Sequence, residues 1–413
     1  MLSLSRFLIT ILIFIEINFF SVVKFPDVYY QIAGYKSKYL TTMICLILLL
    51  LNILYYKMAE ERIKKNYFFS PLLMFFSSLI IVFIFSYAVY NQSLIQTMKE
   101  SYYLLIMLST YFFVTYFSNR NELNYFVKLI NWTSTIYALL LIFQIFIFKY
   151  KNILFLDFDV RTLGNIATKS YGIRLSRPSD FIMFSILISL IGIKLDRIRL
   201  LDICSLMIRV YFLIFISMTR MNIMISFILI IVSFVYSNKT SKKIKQLIIN
   251  SSIFITLILF SKKIYNFLLN YFFNGVRKSS GESRLLEIDY YTNHIFFNGI
   301  FGRGFPSDDK YFSLNHGPEG KYYISDIGVL GFFSVFGALG IVFYISTIYK
   351  FILLYLRTSS NKTILLLILL YFVLSSITLF FMDPQRTLYL AIIMALYSVF
   401  YVPEKENKGE TSL

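Results

Sequence analysis

Residues 71–90 read PLLMFFSSLIIVFIFSYAVY, twenty residues without a charged side chain. A helix needs about 20 apolar residues to cross the hydrocarbon layer of a bilayer. Eleven further apolar stretches lie at about 7–23, 39–56, 101–117, 129–148, 180–195, 200–217, 221–237, 247–261, 326–349, 363–381 and 386–402. The sequence therefore predicts an all-α integral membrane protein, a polytopic bundle of about 12 transmembrane helices. The count is 11 if the first stretch, which carries Glu16, does not cross.

The composition excludes several classes of protein. Hydrophobic residues make up 58% of the 413 residues and charged residues 15%, compared with about 25% in a typical soluble domain. A soluble enzyme, a nucleic-acid-binding module or a disordered protein would carry far more polar surface. The chain has two histidines and no glycine-rich nucleotide motif, so we expect no metal and no other cofactor. Cys45 and Cys204 lie in apolar stretches and are predicted to be small buried hydrophobic residues.

Membrane topology gives a first explanation for the net charge of +18. If the N-terminus is cytoplasmic, nineteen Lys and Arg residues lie on the cytoplasmic side and six lie in the short outer loops. Cytoplasmic loops of membrane proteins carry such an excess of positive charge. We therefore predict a multi-pass protein whose N- and C-termini are both cytoplasmic, without a nucleic-acid partner.

This topology divides the chain into six segments, and it places two long connections on the outer side of the membrane. The segments are an N-terminal five-helix transmembrane region (1–148), a first large extracytoplasmic loop (149–179), central transmembrane helices (180–261), a second large extracytoplasmic loop (262–325), C-terminal transmembrane helices (326–402) and a cytoplasmic tail (403–413). Connections of this length inside a compact bundle are often functional. We therefore expect the functional site in the two large loops.

Arginines mark the first large loop and one junction between helices. Arg161, Arg174 and Arg177 precede Pro178, a residue suited to the start of a helix. Their guanidinium groups match the geometry of a phosphate, and contacts to lipid headgroups or nearby Asp residues are the alternative. Arg220 interrupts about forty apolar residues. It is either a functional cation or an anchor at the membrane surface.

The second large loop contains groups suited to catalysis. Residues 283–297 have helical periodicity. The turn Gly302-Arg303-Gly304 would let the backbone approach a ligand closely. His316 lies in a polar segment bounded by glycine, where a neutral imidazole is a natural general base. A solvated loop histidine is the alternative for this position.

The order of these features resembles the C-terminal signature of the O-antigen polymerase and O-antigen ligase superfamily. Its members read Ser-Arg, a helix, Gly-x-Gly, His, and then an acidic residue near Gly-x-x-Gly at a helix start. The matching elements here are Ser283-Arg284, the apolar and aromatic helix that follows, Gly299 to Gly304, His316, Asp326 and Gly328 to Gly331. Thr219-Arg220 is similar to the Ser-Arg pair that members carry at the outer end of a helix in mid-chain. The chain departs from the pattern at Met218, which makes Ser-Met-Thr-Arg where a Ser-Arg pair is common. It also departs at Leu286, near where the family often has an aromatic residue.

The resemblance implies a metal-independent glycosyltransferase at the outer face of the bacterial cytoplasmic (inner) membrane. Its donor would be an oligosaccharide repeat unit linked to polyprenyl diphosphate, such as undecaprenyl diphosphate. Its acceptor would be a second lipid-linked glycan, and the product would be O-antigen or capsular polysaccharide. Besides these substrates and the lipid bilayer, a chain-length regulator and a flippase would be its partners.

Each predicted site residue receives a role in this reaction. His316 would be the catalytic base that takes the proton of the acceptor hydroxyl. The cations that bind the leaving diphosphate would be Arg220, Arg284 and Arg303. The residues that bind the acceptor or the glycan would be Arg161, Arg174, Arg177, Tyr290 and Asp326.

Three other functions compete with the polymerase. A ligase of the same superfamily would move a finished glycan to a lipid core sugar, and the sequence does not show the acceptor. A flippase or other transporter would usually carry ionisable groups near the membrane midplane. The predicted spans contain almost no ionisable residues apart from Glu16 and Arg209. A membrane acyltransferase would need a membrane-embedded histidine, whereas His294 and His316 lie in a loop.

Overall fold

The computed structural model describes residues 2–17, 35–56, 65–151, 166–169, 172–175, 179–195, 200–236, 278–297, 299–318, 320–378 and 380–403. The helices of the N-terminal part are α1 (Leu2–Glu16), α2 (Tyr35–Tyr56), α3 (Phe69–Val89), α4 (Leu94–Ser101), a 3-10 helix (Tyr102–Leu108), α5 (Ser109–Ser118) and α6 (Arg120–Lys151). Those that follow are α7 (Ser179–Leu195), α8 (Leu200–Tyr211, continued by a π-helical turn Phe212–Ser217), α9 (Arg220–Val235), α10 (Lys278–Phe297), α11 (Asp308–His316), a second 3-10 helix (Ile324–Ile327), α12 (Val329–Leu356), α13 (Lys362–Thr378) and α14 (Thr387–Phe400).

Within the described ranges, four helices are long and apolar enough to cross a membrane: α3, α6, α8 with its π-helical turn, and α12. Four shorter apolar helices lie at Lys38–Leu54, Arg220–Val235, Lys362–Thr378 and Thr387–Phe400. The prediction of a helical membrane protein is confirmed at this level. The predicted span at 247–261 lies outside the described residues, and the total of about 12 spans stays a prediction.

A short β-hairpin interrupts the helical architecture within the predicted first loop. Strands β1 (Ile166–Lys169) and β2 (Gly172–Leu175) are antiparallel, with Ile166 opposite Leu175 and Ala167 opposite Arg174. The sequence predicts a loop here, in an all-α protein, so these two strands are a correction. The alternation that identifies a strand is hard to recognise over four residues, which explains the omission.

The described helices form two compact units. The first unit comprises Met1–Tyr67, Tyr102–Ile228 and Phe381–Tyr401, and the second comprises Phe68–Ser101, Leu229–Phe380 and Val402–Leu413. In the first unit every residue of α14 is buried, and this helix packs on α5 and on the 3-10 helix before it. A helix that is apolar on all sides is expected in such a central position.

Arg209 of α8 is fully buried in the first unit, and neutral groups satisfy its guanidinium. Its Nη1 donates to the carbonyl of Ser185 at 3.0 Å, and its Nη2 donates to Ser205 Oγ at 3.0 Å. Nη1 also lies 3.3 Å from Asn131 Oδ1. Because a buried cation is costly unless it is hydrogen-bonded, these contacts explain how α8 accommodates an arginine between α6 and α7.

The charged residues of α1 are paired at both ends of the helix. Arg6 Nη2 lies 2.7 Å from Glu122 Oε1, at the start of α6. Glu16 accepts a hydrogen bond from Lys38 Nζ of α2 at 2.8 Å. This pairing explains how an apolar helix tolerates Glu16, the residue that left the span count open.

Cys45 is buried, as predicted, but the prediction for Cys204 is wrong because its side chain is exposed. Cys204 lies on α8 beside Ile203 and Met207, which are also exposed. In a membrane protein an apolar residue can face lipid as well as the protein core, since lipid tails are equally apolar. Membership of an apolar stretch therefore does not show whether a residue is buried in the protein or exposed on its surface.

Candidate active site

The predicted site residues fall into three groups in the structure. Arg161 and Arg177 lie outside the described residues, and Arg174 is described through its backbone in β2. Arg220 is the first residue of α9 and belongs to the first unit. The members that lie together in the second unit are Arg284, Tyr290, Arg303, His316 and Asp326.

The turn Gly302-Arg303-Gly304 docks on an interruption in α12. Gly337 has φ +58° inside this helix, so the regular backbone hydrogen bonds break there. The turn replaces them, because Arg303 N–H donates to the carbonyl of Ser334 at 2.7 Å and Ala338 N–H donates to Gly299 at 3.0 Å. The glycines therefore allow close approach to α12, and the predicted approach of this turn to a ligand stays a prediction.

The other side of the same turn is held by the end of α3. Ser86 Oγ accepts a hydrogen bond from the N–H of Phe305 at 2.9 Å. The hydroxyl of Tyr90 donates to the carbonyl of Arg303 at 2.6 Å. Gln92 bonds the carbonyl of Phe305 and the N–H of Ser307, at 2.8 and 2.9 Å. Residues 299–307 are thus fixed between α3 and α12, directly before the helix that carries His316.

Arg303 extends from this turn to the C-terminal end of α11. Its Nη1 donates to the carbonyl of Leu314 at 2.6 Å, and its Cζ lies 5.5 Å from the ring centre of Tyr291. Arg303 is 6% exposed. Burial lowers the pKa of its guanidinium, whereas Tyr291, the other nearby phenols and Asp308 raise that pKa. Its Nε makes no hydrogen bond to the described residues. The structure therefore shows Arg303 as a buried cation beneath α11.

Two tyrosines of α10 cap the same end of α11. Tyr291 is fully buried, and its hydroxyl donates to the carbonyl of Asn315 at 2.6 Å. The hydroxyl of Tyr290 donates to the carbonyl of Ser313 at 3.1 Å. The last carbonyls of a helix lack partners within the helix, so these contacts stabilise the turn that positions His316. This contact gives Tyr290, predicted to bind glycan, a described role in holding α11.

His316 is the last residue of α11, and its side chain is 21% exposed. Its ring centre lies 4.6 Å from the ring centre of Phe312 and 5.7 Å from that of Tyr323. Its Nε2 lies 3.4 Å from Asp308 Oδ1. The imidazole is therefore held on several sides by neighbours and still reachable from outside, which a base that takes a substrate proton requires.

A second group of acidic residues lies between α10 and the segment after His316. Glu287 is 4% exposed, and the N–H of Tyr323 donates to its carboxylate. Burial and the neighbouring Asp326 raise the pKa of Glu287 to about 7, while the exposed Arg284 lowers it. Asp326, predicted to contact the glycan, is thus placed beside a carboxyl group that titrates near neutral pH.

Glu100 and Asp308 complete the site, and neither of them is among the residues predicted from sequence. Burial, with the carboxylates of Asp308 and Asp309, raises the pKa of Glu100 in α4 to about 7. The N–H of Asp308 donates to this carboxyl group. Glu100 precedes the site by two hundred residues, so no local pattern links them. The one signal in the sequence was the position of Glu100, an acidic residue directly before the apolar stretch 101–117.

The burial of Glu287 predicts a pH-dependent stability. Its pKa is raised from 4.5 to about 7, so between these values the folded protein keeps a proton that the unfolded chain releases. The free energy of unfolding therefore falls as pH rises through this range. We expect Glu287→Gln to raise Tm in detergent clearly at pH 8 and little at pH 5. Asp289→Asn, an exposed control on the same helix, should shift Tm equally at both pH values. An equal shift for Glu287→Gln at both would contradict the assignment.

In the first unit, three helix starts meet at Asp180, near the beginning of α7. Asp180 Oδ2 lies 2.7 Å from Nε of Arg386, which precedes α14. Asp180 Oδ1 accepts a hydrogen bond from Asn222 Nδ2 of α9 at 2.8 Å. A carboxylate favours the positive end of a helix dipole, so this arrangement joins α7, α9 and α14. Arg220 lies in the same first turn of α9 as Asn222.

Among the described residues, no group of three or more His, Cys, Asp or Glu side chains is arranged to hold a metal ion. The candidate site of the second unit therefore consists of an imidazole, carboxyl groups and guanidinium groups. This set can transfer a proton and can bind an anion. The chain matches no protein-family model, and no curated protein is significantly similar to it.

Proposed function

We propose that the chain is a polymerase of lipid-linked oligosaccharide repeat units, acting at the outer face of the bacterial cytoplasmic membrane. The donor is a repeat unit on polyprenyl diphosphate, the acceptor is a second lipid-linked glycan, and the product is O-antigen or capsular polysaccharide. The observation that carries the proposal is the placement of His316. Its partly exposed imidazole ends a helix that buried side chains hold from α10 and from the turn before it. A held imidazole with an open side suits proton transfer from a substrate hydroxyl.

The reaction is a single glycosyl transfer. The acceptor oxygen forms a bond to the anomeric carbon of the donor, and the bond from that carbon to the diphosphate oxygen breaks. The acceptor proton moves to His316, and the lipid diphosphate leaves with the electron pair. Arg284 is exposed on α10 in the second unit and would meet this developing charge. The diphosphate-binding role of Arg220, in the first unit, stays a prediction. Arg303 adds positive charge from its buried position beneath α11.

The proposal includes about 12 spans, cytoplasmic termini and two large outer loops. The contacts inside each unit support this alternation. Asp180, Asn222 and Arg386 are all assigned to the outer side, and they bond one another in the first unit. Arg6 and Glu122, both assigned to the cytoplasmic side, form an ion pair. In the second unit the outer end of α3 binds residues 299–307 of the second large loop.

Glycan electrophoresis of a deletion strain tests the function. We expect a single capped repeat unit in place of a ladder of long chains, and plasmid-borne wild-type protein should restore the ladder. Finished long chains that accumulate on their carrier lipid would instead identify the ligase. Repeat units trapped on the cytoplasmic side of the membrane would identify a flippase. Either of these two results would overturn the polymerase.

A further inference from the structure

The carboxylate of Asp308 lies beside the imidazole of His316. Asp308 Oδ1 lies 3.4 Å from His316 Nε2, although the two residues are eight positions apart. In a regular helix, eight residues separate two positions by about 12 Å along the axis, so these side chains would not meet. The interruption at Tyr311, with φ −123° and ψ 36°, accompanies their approach.

Asp308 is fixed in place although its side chain is 47% exposed. Its carboxylate accepts a short hydrogen bond from Asn315 Nδ2, which also donates to the carbonyl of Pro306 at 2.8 Å. Its backbone N–H donates to the carboxyl group of Glu100. These contacts hold the carboxylate at one position beside the imidazole, so the pair is a defined arrangement.

We infer that Asp308 is a positioning residue for His316 in the proposed transfer, so that Nε2 carries the hydrogen and Nδ1 takes the acceptor proton. The inference rests on the proposed function. A carboxylate beside one ring nitrogen selects the tautomer with hydrogen on that nitrogen, and it stabilises the imidazolium that forms. As the acceptor oxygen bonds to the anomeric carbon and the diphosphate leaves, the proton moves to Nδ1.

Other titratable groups surround α11, and the test has to separate Asp308 from them. They are Glu100 from α4, Arg303 from the preceding turn, Tyr290 and Tyr291 from α10, Tyr322 and Tyr323 from the following segment, and Asp309 and Lys310 from α11 itself. Asp309 is the matched control because it is exposed, adjacent in sequence and equal in charge.

The test compares Asp308→Asn with Asp309→Asn in the full-length protein, reconstituted in liposomes with a polyprenyl-diphosphate repeat unit. We expect Asp308→Asn to lower kcat by roughly 10-fold to 100-fold with little change in KM. Replacing a buried carboxylate that orients a catalytic histidine lowers kcat by about 10⁴-fold, and the half-exposed Asp308 should contribute less. Asp309→Asn should resemble the wild type in kcat and in KM.

A spectroscopic measurement decides the inference independently of turnover. The chain has two histidines, so ¹⁵N-histidine labelling in a His294→Gln background reports on His316 alone. We expect the Nε2–H tautomer in the wild type and in Asp309→Asn, and a tautomer mixture in Asp308→Asn. The same tautomer population in all three proteins would overturn the positioning role. An inactive wild type with the expected tautomers would instead refute the polymerase and leave the Asp308–His316 pair intact.

Discussion

His316→Ala is expected to abolish long glycan chains while the protein stays in the membrane at its normal level. General-base catalysis contributes about 10²–10⁴-fold to such reactions, so the variant should leave a single capped repeat unit on the gel. The effect should be large because the partly exposed imidazole is the proposed acceptor of the substrate proton. The measurement is glycan electrophoresis of a deletion strain that expresses the variant from a plasmid.

Three further variants accompany this experiment. Arg220→Ala and Arg284→Ala should each lower the rate by roughly 10²–10³-fold, because each removes a cation that would stabilise the leaving diphosphate. His316→Gln keeps a polar side chain of similar size and should be as inactive as His316→Ala if the base is what matters. Wild-type chain lengths in His316→Ala, Arg220→Ala and Arg284→Ala would contradict the site assignment.

Gly302→Ala is expected to destabilise the second unit strongly. Gly302 has φ +62°, and an added Cβ would lie 2.5 Å from the backbone N of Gly337 and 2.7 Å from the carbonyl oxygen of Ser334. Backbone strain of this kind costs about 1–3 kcal/mol, and overpacking against rigid backbone adds about 1–3 kcal/mol. The turn would have to move away from α12, and Arg303 would move with it.

Gly299→Ala is the matched control for this prediction, because an added Cβ there meets nothing within 4 Å. Thermal unfolding in detergent should show a large fall in Tm for Gly302→Ala and little change for Gly299→Ala. The glycan ladder should shorten in the first variant as well, since α11 depends on the same turn. Equal Tm values for the two variants would refute the packing of the turn on Gly337.

The architecture could be predicted from sequence to the extent that it depends on local hydrophobicity. The stretch 71–90 predicted α3, and the structure begins this helix at Phe69 and ends it at Val89. The helical periodicity at 283–297 predicted most of α10, which begins earlier, at Lys278. Both features depend on residues close together in the chain, where the physical signal is the repeat of apolar side chains.

The site was less predictable because it depends on contacts between distant segments. Arg303 was expected to face a diphosphate, yet Tyr291 and Leu314 enclose it, and neither contact follows from the turn sequence. Asp308 and Glu100 were missed for the same reason. The interruption at Tyr311 and the docking of α4 bring these carboxyl groups together, and no spacing in the sequence records either feature.

The most direct test of the central claim uses the purified protein in liposomes, with a polyprenyl-diphosphate repeat unit as the sole glycan. We predict glycans longer than one repeat unit, with one polyprenyl diphosphate released for each new glycosidic bond. The products should be absent from His316→Ala liposomes that contain the same amount of folded protein. Recovery of the repeat unit unchanged after incubation with folded wild-type protein would contradict the account.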